Sequence, residues 1–342
     1  MTMTRKPTID DVARSAGVSK GLVSLALNGR PGVSAAARDR IHAAATELGW
    51  RPSARARGLA TRRAYSLGLV VRREPSTFEA DPFFAAYVGG VESVLGAHGQ
   101  VLVLSVVPDR DIEEATYRRL VSDQRVDGFL LTDLLDNDPR IELIKSLGGR
   151  AVTLGRPHGG TPFPAVTRDY DSGIEQLLEH LAELGHRRVA HVAGDESMQH
   201  ARTRLRRHLE VADRLGLETI IERTDFSPEQ GAAATRRLVS RADRPTAIVY
   251  ANDPMAVAGI AVGHELGLDL PGELSIAGMD GSDMGRFVYP TLTTLDNDPA
   301  GWGRASTQAL LDLIEQGQAD DVPLPPAALI ARASTAPPTR AS

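Results

Sequence analysis

From Ser66 onward the chain alternates short apolar runs with amphipathic stretches of helical period, and few folds accommodate that alternation. Residues 67–71, 101–107, 129–131 and 151–154 form one series of strand-like runs; 189–192, 248–250 and 274–277 form another. A strand that returns to its sheet through a helix builds a parallel sheet with helices on both faces. Two series therefore predict an α/β body of two doubly wound parallel-sheet subdomains, with the carboxyl ends of the strands facing a cleft.

The length of 342 residues fits more than one core. With no cysteine, a disulfide framework, a cysteine nucleophile and cysteine-ligated zinc are all excluded. The start is polar, without a signal-peptide core, and no stretch of about eighteen apolar residues occurs. A soluble, cytoplasmic protein with no membrane partner is expected.

Charge is divided unevenly along the chain. Residues 1–63 hold 12 Lys and Arg against 4 Asp and Glu, whereas the remainder is strongly acidic within an overall charge of -5. A basic head on an acidic body points to a polyanionic partner for the head, because neutralising phosphates releases counterions. A solvated basic tail is the plainer alternative.

The head also reads as structure. Thr8-Ile9-Asp10-Asp11 has capping-box spacing, and Ile9, Val12, Ala13 and Ala16 repeat helically up to Gly17. Ser19 caps a second helix, about 20–27, which Asn28-Gly29 ends. Ser34 caps a third, about 35–48, which Gly49 stops. On the second helix Lys20, Gly21 and Ser24 share one arc, opposite Leu22, Val23, Ala26 and Leu27. Across a turn from a capped first helix, such a helix enters the major groove. Lys20 reaches guanine acceptors or a phosphate, Ser24 base edges or phosphate, and Leu25 a thymine methyl, while Gly21 allows close approach. Thr8, Ser19 and Asn28 complete the expected DNA-binding set of the head. A three-helix unit that binds protein is the competing reading.

These residues resemble the LacI/GalR family of bacterial transcription regulators. The likeness runs through Thr8-Ile9-Asp10-Asp11-Val12-Ala13, Ala16-Gly17-Val18-Ser19, Val23-Ser24, Leu27-Asn28, Val33-Ser34 and Leu48-Gly49-Trp50-Arg51-Pro52. It continues in Pro82-Phe83-Phe84, Val126-Asp127-Gly128, the run 180–186, Ala251-Asn252-Asp253 and the run 290–294, and so covers nearly the whole chain. Gly21 and Leu25 stand where family members often carry polar residues.

The resemblance implies a helix-turn-helix DNA-binding domain over 1–50, a hinge over 51–63, and a periplasmic-binding-protein-like effector and dimerisation domain over 64–342. Its N-subdomain would hold about 64–162 and 292–322, and its C-subdomain about 163–291 and 323–335. In the basic hinge Arg55, Ala56 and Leu59 share one helical face. The resemblance puts Ala56 and Leu59 in the minor groove, where Leu59 wedges between base steps. A solvated linker is the alternative.

In the body, polar residues that follow strands can converge on a ligand. Asn252 and Asp253 follow one strand and Asp280 another, while Phe83 and Phe84 open the first helix of the other subdomain. The resemblance adds Arg204, at the ligand-binding arginine of an Arg-x-x-Gly motif, and Phe226, at a stacking aromatic. Arg207 replaces the motif's glycine, and its bulk and charge are expected to reshape the pocket or favour a more anionic ligand. An arginine, carboxylates, an amide and an aromatic wall suit a sugar or sugar derivative. Each member has a plainer role: Arg204 lies in a basic run, Asn252 and Asp253 can cap a helix, Asp280 can form a turn, and Phe226 can be core.

The expected function is a repressor that binds a palindromic operator as a homodimer under the control of such an effector. No enzyme, cofactor or metal is expected. Residues 67–71 run into Arg72-Arg73-Glu74-Pro75 rather than a phosphate loop, no H-E-x-x-H pair occurs, and the nine histidines lack metal spacing. A sugar-modifying enzyme or a solute-binding protein on the same fold is the alternative; the latter has no use for a basic head. Without leucine heptads in residues 331–342, a dimer is expected rather than a tetramer.

Overall fold

The computed structural model describes residues 7–27, 31–50, 58, 61 and 63–339, and the chain divides into two compact units, Met1–Tyr65 and Ser66–Ser342. The first contains α1 (Ile9–Ala16), α2 (Lys20–Leu27) and α3 (Ala35–Glu47). At the start of α1 the Thr8 N–H donates to Asp11 Oδ2 at 2.9 Å, satisfying a donor the helix leaves over. Gly17 closes α1 in the left-handed region at φ 66°. Ser19 Oγ accepts from Leu22 N at 3.2 Å and Ser34 Oγ from Ala37 N at 3.3 Å. Val12, Val23 and Ile41, all fully buried, form the centre of the small core. Gly17-Val18-Ser19-Lys20-Gly21 has the spacing of a nucleophile elbow, but it joins two helices rather than a strand and a helix, and its serine is spent as a cap.

The second unit contains two parallel sheets. One has six strands in the order Val322–Leu324, Ala165–Arg168, Ala151–Leu154, Gly128–Leu131, Ser66–Arg72, Val101–Val107. In chain order these are β1 (Ser66–Arg72), β2 (Val101–Val107), β3 (Gly128–Leu131), β4 (Ala151–Leu154) and β5 (Ala165–Arg168), with Val322–Leu324 returning last. The other sheet has the order β7 (Glu218–Arg223), β6 (Arg188–Ala193), β8 (Ala247–Tyr250), β9 (Ser275–Ala277). Central strands such as β1 and β8 are buried on both faces, which is why they read as unbroken apolar runs. A two-stranded antiparallel pair, Thr294–Asp296 with Ala328–Ile330, accompanies the later crossings between lobes.

The chain leaves the first sheet only after Arg168, so the passage expected near residue 162 lies a few residues further along. It returns with the helix Pro299–Gln316, which packs on the helix Pro82–Ala97 of the first lobe. That crossing is close because glycines face backbone. A Cβ on Gly303 would stand 2.2 Å from the Tyr87 carbonyl oxygen, and one on Gly90 2.1 Å from that of Ala300. Tyr87 and Ser306 hydroxyls meet at 3.0 Å beside it.

Candidate functional site

A cavity of about 240 Å³ lies between the two sheets, at the carboxyl ends of their strands. From the first lobe it receives Arg73 after β1, Thr132 and Asp133 after β3, Arg168 at the end of β5, and Phe83. The second lobe contributes Tyr170, His200, Arg204, Phe226, Asn252 and Asp280, while Asn297 and Trp302 come from the returning crossing.

Arg204 and Phe226 are therefore brought together with Asn252, Asp280 and Phe83. The Arg204 side chain is buried, donates to the Ala251 carbonyl and lies 5.1 Å over the Tyr170 ring. Phe226 sits at φ 71°, a conformation an aromatic residue rarely adopts, and stacks on His200 at 5.4 Å. Its ring closes over Gly194, where a Cβ would meet it at 2.0 Å. Asn252 does two things at once: its Oδ1 caps a helix by accepting from Met255 N at 3.0 Å, and its Nδ2 donates to the Phe226 carbonyl at 2.9 Å.

Asp253 does not line the cavity. Its Oδ1 accepts from the Thr294 hydroxyl at 2.6 Å and from Asp280 N at 3.2 Å, and its Oδ2 from Ser282 N at 2.8 Å. The carboxylate thus shapes the loop that carries Asp280. In return, Asp280 Oδ2 accepts from Asp253 N at 2.8 Å. Burial first, and then the neighbouring Asp253, push the Asp280 carboxyl up to about 8, against the pull of Arg204. Phe84 is likewise absent from the lining; it packs in the core, with Arg73 5.1 Å over its ring. Arg207 is absent from the lining: it turns away to Glu175 at 2.8 Å on the helix Asp171–Glu183.

Several lining residues were not singled out from sequence. Arg73 forms a fork on Asp133 at 2.9 and 3.1 Å and a third bond to Asp81 at 2.9 Å. Burial opposes the Asp133 charge, but Arg73 outweighs it and holds that carboxyl below its ordinary range. Tyr170 Oη and Trp302 Nε1 both donate to Asn297 Oδ1. Burial and Arg204 push His200 down to about 3, so it presents a neutral ring. The rule that selected Asn252, a polar residue just beyond a strand, also selects Arg73 and Asp133, whereas Arg168 closes a strand, Ala165–Arg168, that the apolar runs do not include.

Across the mouth of the cavity the lobes touch directly. Gln199 N donates to the Leu134 carbonyl at 2.8 Å, Gln199 Nε2 to the Arg156 carbonyl at 2.7 Å, and Arg202 pairs with Asp136.

In the first unit, Lys20 and Gly21 are exposed, Ser24 and Leu25 half-buried, and Lys20 Nζ lies 3.3 Å from Asp10. The hydroxyls of Thr8 and Ser19 are engaged at helix starts, Thr8 Oγ1 donating to Asp11 Oδ2 at 2.7 Å. Asn28, Arg55, Ala56 and Leu59 lie outside the described residues. Among the described residues, no helix is long and apolar enough to cross a membrane, and no cluster of three or more His, Cys, Asp or Glu could hold a metal ion.

Comparison with known proteins gives two family matches: bacterial regulatory proteins of the lacI family over residues 8–53, and a periplasmic binding protein-like domain over residues 178–335. The HTH-type transcriptional regulator CelR of Thermobifida fusca is 34% identical over 319 residues, 92% of this chain and 94% of the relative. The HTH-type transcriptional repressor CytR of Escherichia coli (strain K12) is 31% identical, over 91% of this chain and 90% of its own length. Among solved structures, a lac repressor dimer bound to operator and the anti-inducer ONPF superposes with a TM-score of 0.83 at 29% identity, covering 97% of this chain and all of the other. A CelR–cellobiose complex does so at 0.72 and 32% identity, covering 96% and 99%.

Proposed function

Since the chain belongs to the lacI family of bacterial regulatory proteins, we propose that it is a transcriptional repressor which binds a palindromic operator as a homodimer and is controlled by a sugar in the cavity between its lobes. The observation that carries this reading is the cavity wall. Arg204, Asn252 and Asp280 present donors and acceptors beside Phe226 and Trp302, an arrangement suited to the hydroxyls and the apolar face of a sugar ring. The relatives' names add that CelR takes cellobiose and that the lac repressor binds operator DNA as a dimer. The DNA-facing set is Thr8, Ser19, Lys20, Gly21, Ser24, Leu25 and Asn28, with Arg55, Ala56 and Leu59 in the hinge.

Two-fold operators require two heads, and exposed apolar side chains support a second copy on each lobe: Val101 and Leu104 on the first, Phe287 and Tyr289 on the second. Control follows if the ligand prefers one arrangement of the lobes and DNA another. The relatives are regulators, and no catalysis is assigned to the cavity.

The test is a thermal-shift screen of sugars, followed by selection of DNA sites from a random library with and without the stabilising sugar. Selected sites are expected to be two-fold symmetric. Arg204→Ala is expected to keep operator affinity and lose the response to sugar. Asymmetric selected sites, or a sugar response that survives in Arg204→Ala, refute the reading.

A further inference from the structure

Arg73 shows what a satisfied buried guanidinium requires in this protein: two carboxylates and three hydrogen bonds. Two other arginines of the same cavity lack this. Arg168, whose side chain is only 4% exposed, makes no hydrogen bond among the described residues, and its nearest carboxylate, Asp298, stands 4.0 Å away and outside the cavity lining. Its Nε is buried without a partner, and its guanidinium has the Trp302 ring at 6.0 Å. Arg204 donates to the Ala251 carbonyl and lies over the Tyr170 ring, and its Nε too is buried and unpartnered. Both guanidiniums line the same cavity, and both charges act on the Tyr170 hydroxyl.

We propose that Arg168 and Arg204 form an anion subsite, so that the sugar this cavity takes carries a carboxylate or a phosphate. The inference rests on the sugar reading above and narrows it. Cations withdrawn from water without a counter-charge are costly, and a ligand that supplies the charge recovers that cost as affinity. The planar guanidinium forks match the oxygens of either anion. Asp280, the carboxyl beside Arg204, does not neutralise the pair, because burial keeps it protonated well above the ordinary carboxylate range.

Matched ligands test this by calorimetry on the full chain at constant ionic strength: glucuronate and glucose 6-phosphate against glucose, and galacturonate against galactose. One acidic member is expected to bind at least about tenfold tighter than its neutral parent, about 1.4 kcal/mol, and the carboxylate and phosphate arms separate the two anions. Arg168→Gln is expected to abolish the advantage, and Arg168→Lys to keep part of it.

A second measurement needs no sugar. Arg168→Gln is expected to melt higher than the parent in dilute buffer, and inorganic phosphate to stabilise the parent more than the variant. Neutral sugars binding as tightly as acidic ones, or an acid preference that survives Arg168→Gln, overturns the subsite and leaves the sugar reading intact. Stabilisation by phosphate that depends on Arg168, with no sugar of either kind bound, upholds the subsite and removes the sugar.

Discussion

Replacing Asn252 separates two jobs that the structure gives to one side chain. The residue is 5% exposed, caps a helix through Oδ1 and restrains the left-handed Phe226 through Nδ2. Asn252→Ala removes both. Loss of a cap costs about 1 kcal/mol, and loss of a buried hydrogen bond to a carbonyl about another 1 kcal/mol, rising to ~2 if the oxygen stays unsatisfied. The sum of about 2–3 kcal/mol lowers the melting temperature by roughly 4–10 °C for a unit of this size. Asn252→Ser retains a capping oxygen but is too short to reach the Phe226 carbonyl, so it should lose only about 1–2 kcal/mol. Ligand affinity should behave differently. Both variants release Phe226 from its clamp and should weaken sugar binding by similar factors, read from Trp302 fluorescence in the cavity wall. If Asn252→Ser binds as tightly as the parent, the clamp does not pre-organise the aromatic wall; if both variants melt alike, the division into cap and clamp is wrong.

Three further outcomes are expected. The unfolded chain ionises Asp280 at about pH 4, whereas the folded chain keeps its proton up to about 8, so in that window folding takes up a proton and stability falls as pH rises; in melting scans from pH 5 to 8, Asp280→Asn should show a flatter slope. Gly303→Ala, which drives a Cβ to 2.2 Å from a carbonyl oxygen, should destabilise by about 1–3 kcal/mol in denaturant titrations, whereas Gly89→Ala, with nothing within 4 Å, should be neutral or stabilising. Arg207→Gly should cost about 1 kcal/mol of helix stability and leave calorimetric sugar affinity unchanged, because Arg207 faces Glu175.

The α/β architecture was legible because its central strands are buried on both faces, and four-residue runs such as 151–154 stand out against amphipathic helices. Strand β7, Glu-Thr-Ile-Ile-Glu-Arg, was not singled out: at the edge of its sheet it carries charge at both ends. The cavity was half legible. Arg204 and Phe226 came from resemblance, and Asn252 and Asp280 from their places beyond strands. Arg73 read as part of a charged run, because its partners lie 8 and 60 residues away and only folding assembles them. Asp253 illustrates the opposite case. Its place beside Asn252 suggested a ligand contact, yet backbone donors and a threonine hydroxyl occupy both its oxygens.

The contacts between Gln199 and the Leu134 and Arg156 carbonyls, with the Arg202–Asp136 pair, bear on kinetics as well as on shape. If these bonds must break for a ligand to pass, the association rate should fall below that of an open site by the fraction of time the mouth stands apart. Once the bonds re-form over the ligand, the same opening limits its escape. The dwell time of the sugar, and with it how quickly the regulator answers a fall in concentration, is then set by a few bonds between the lobes.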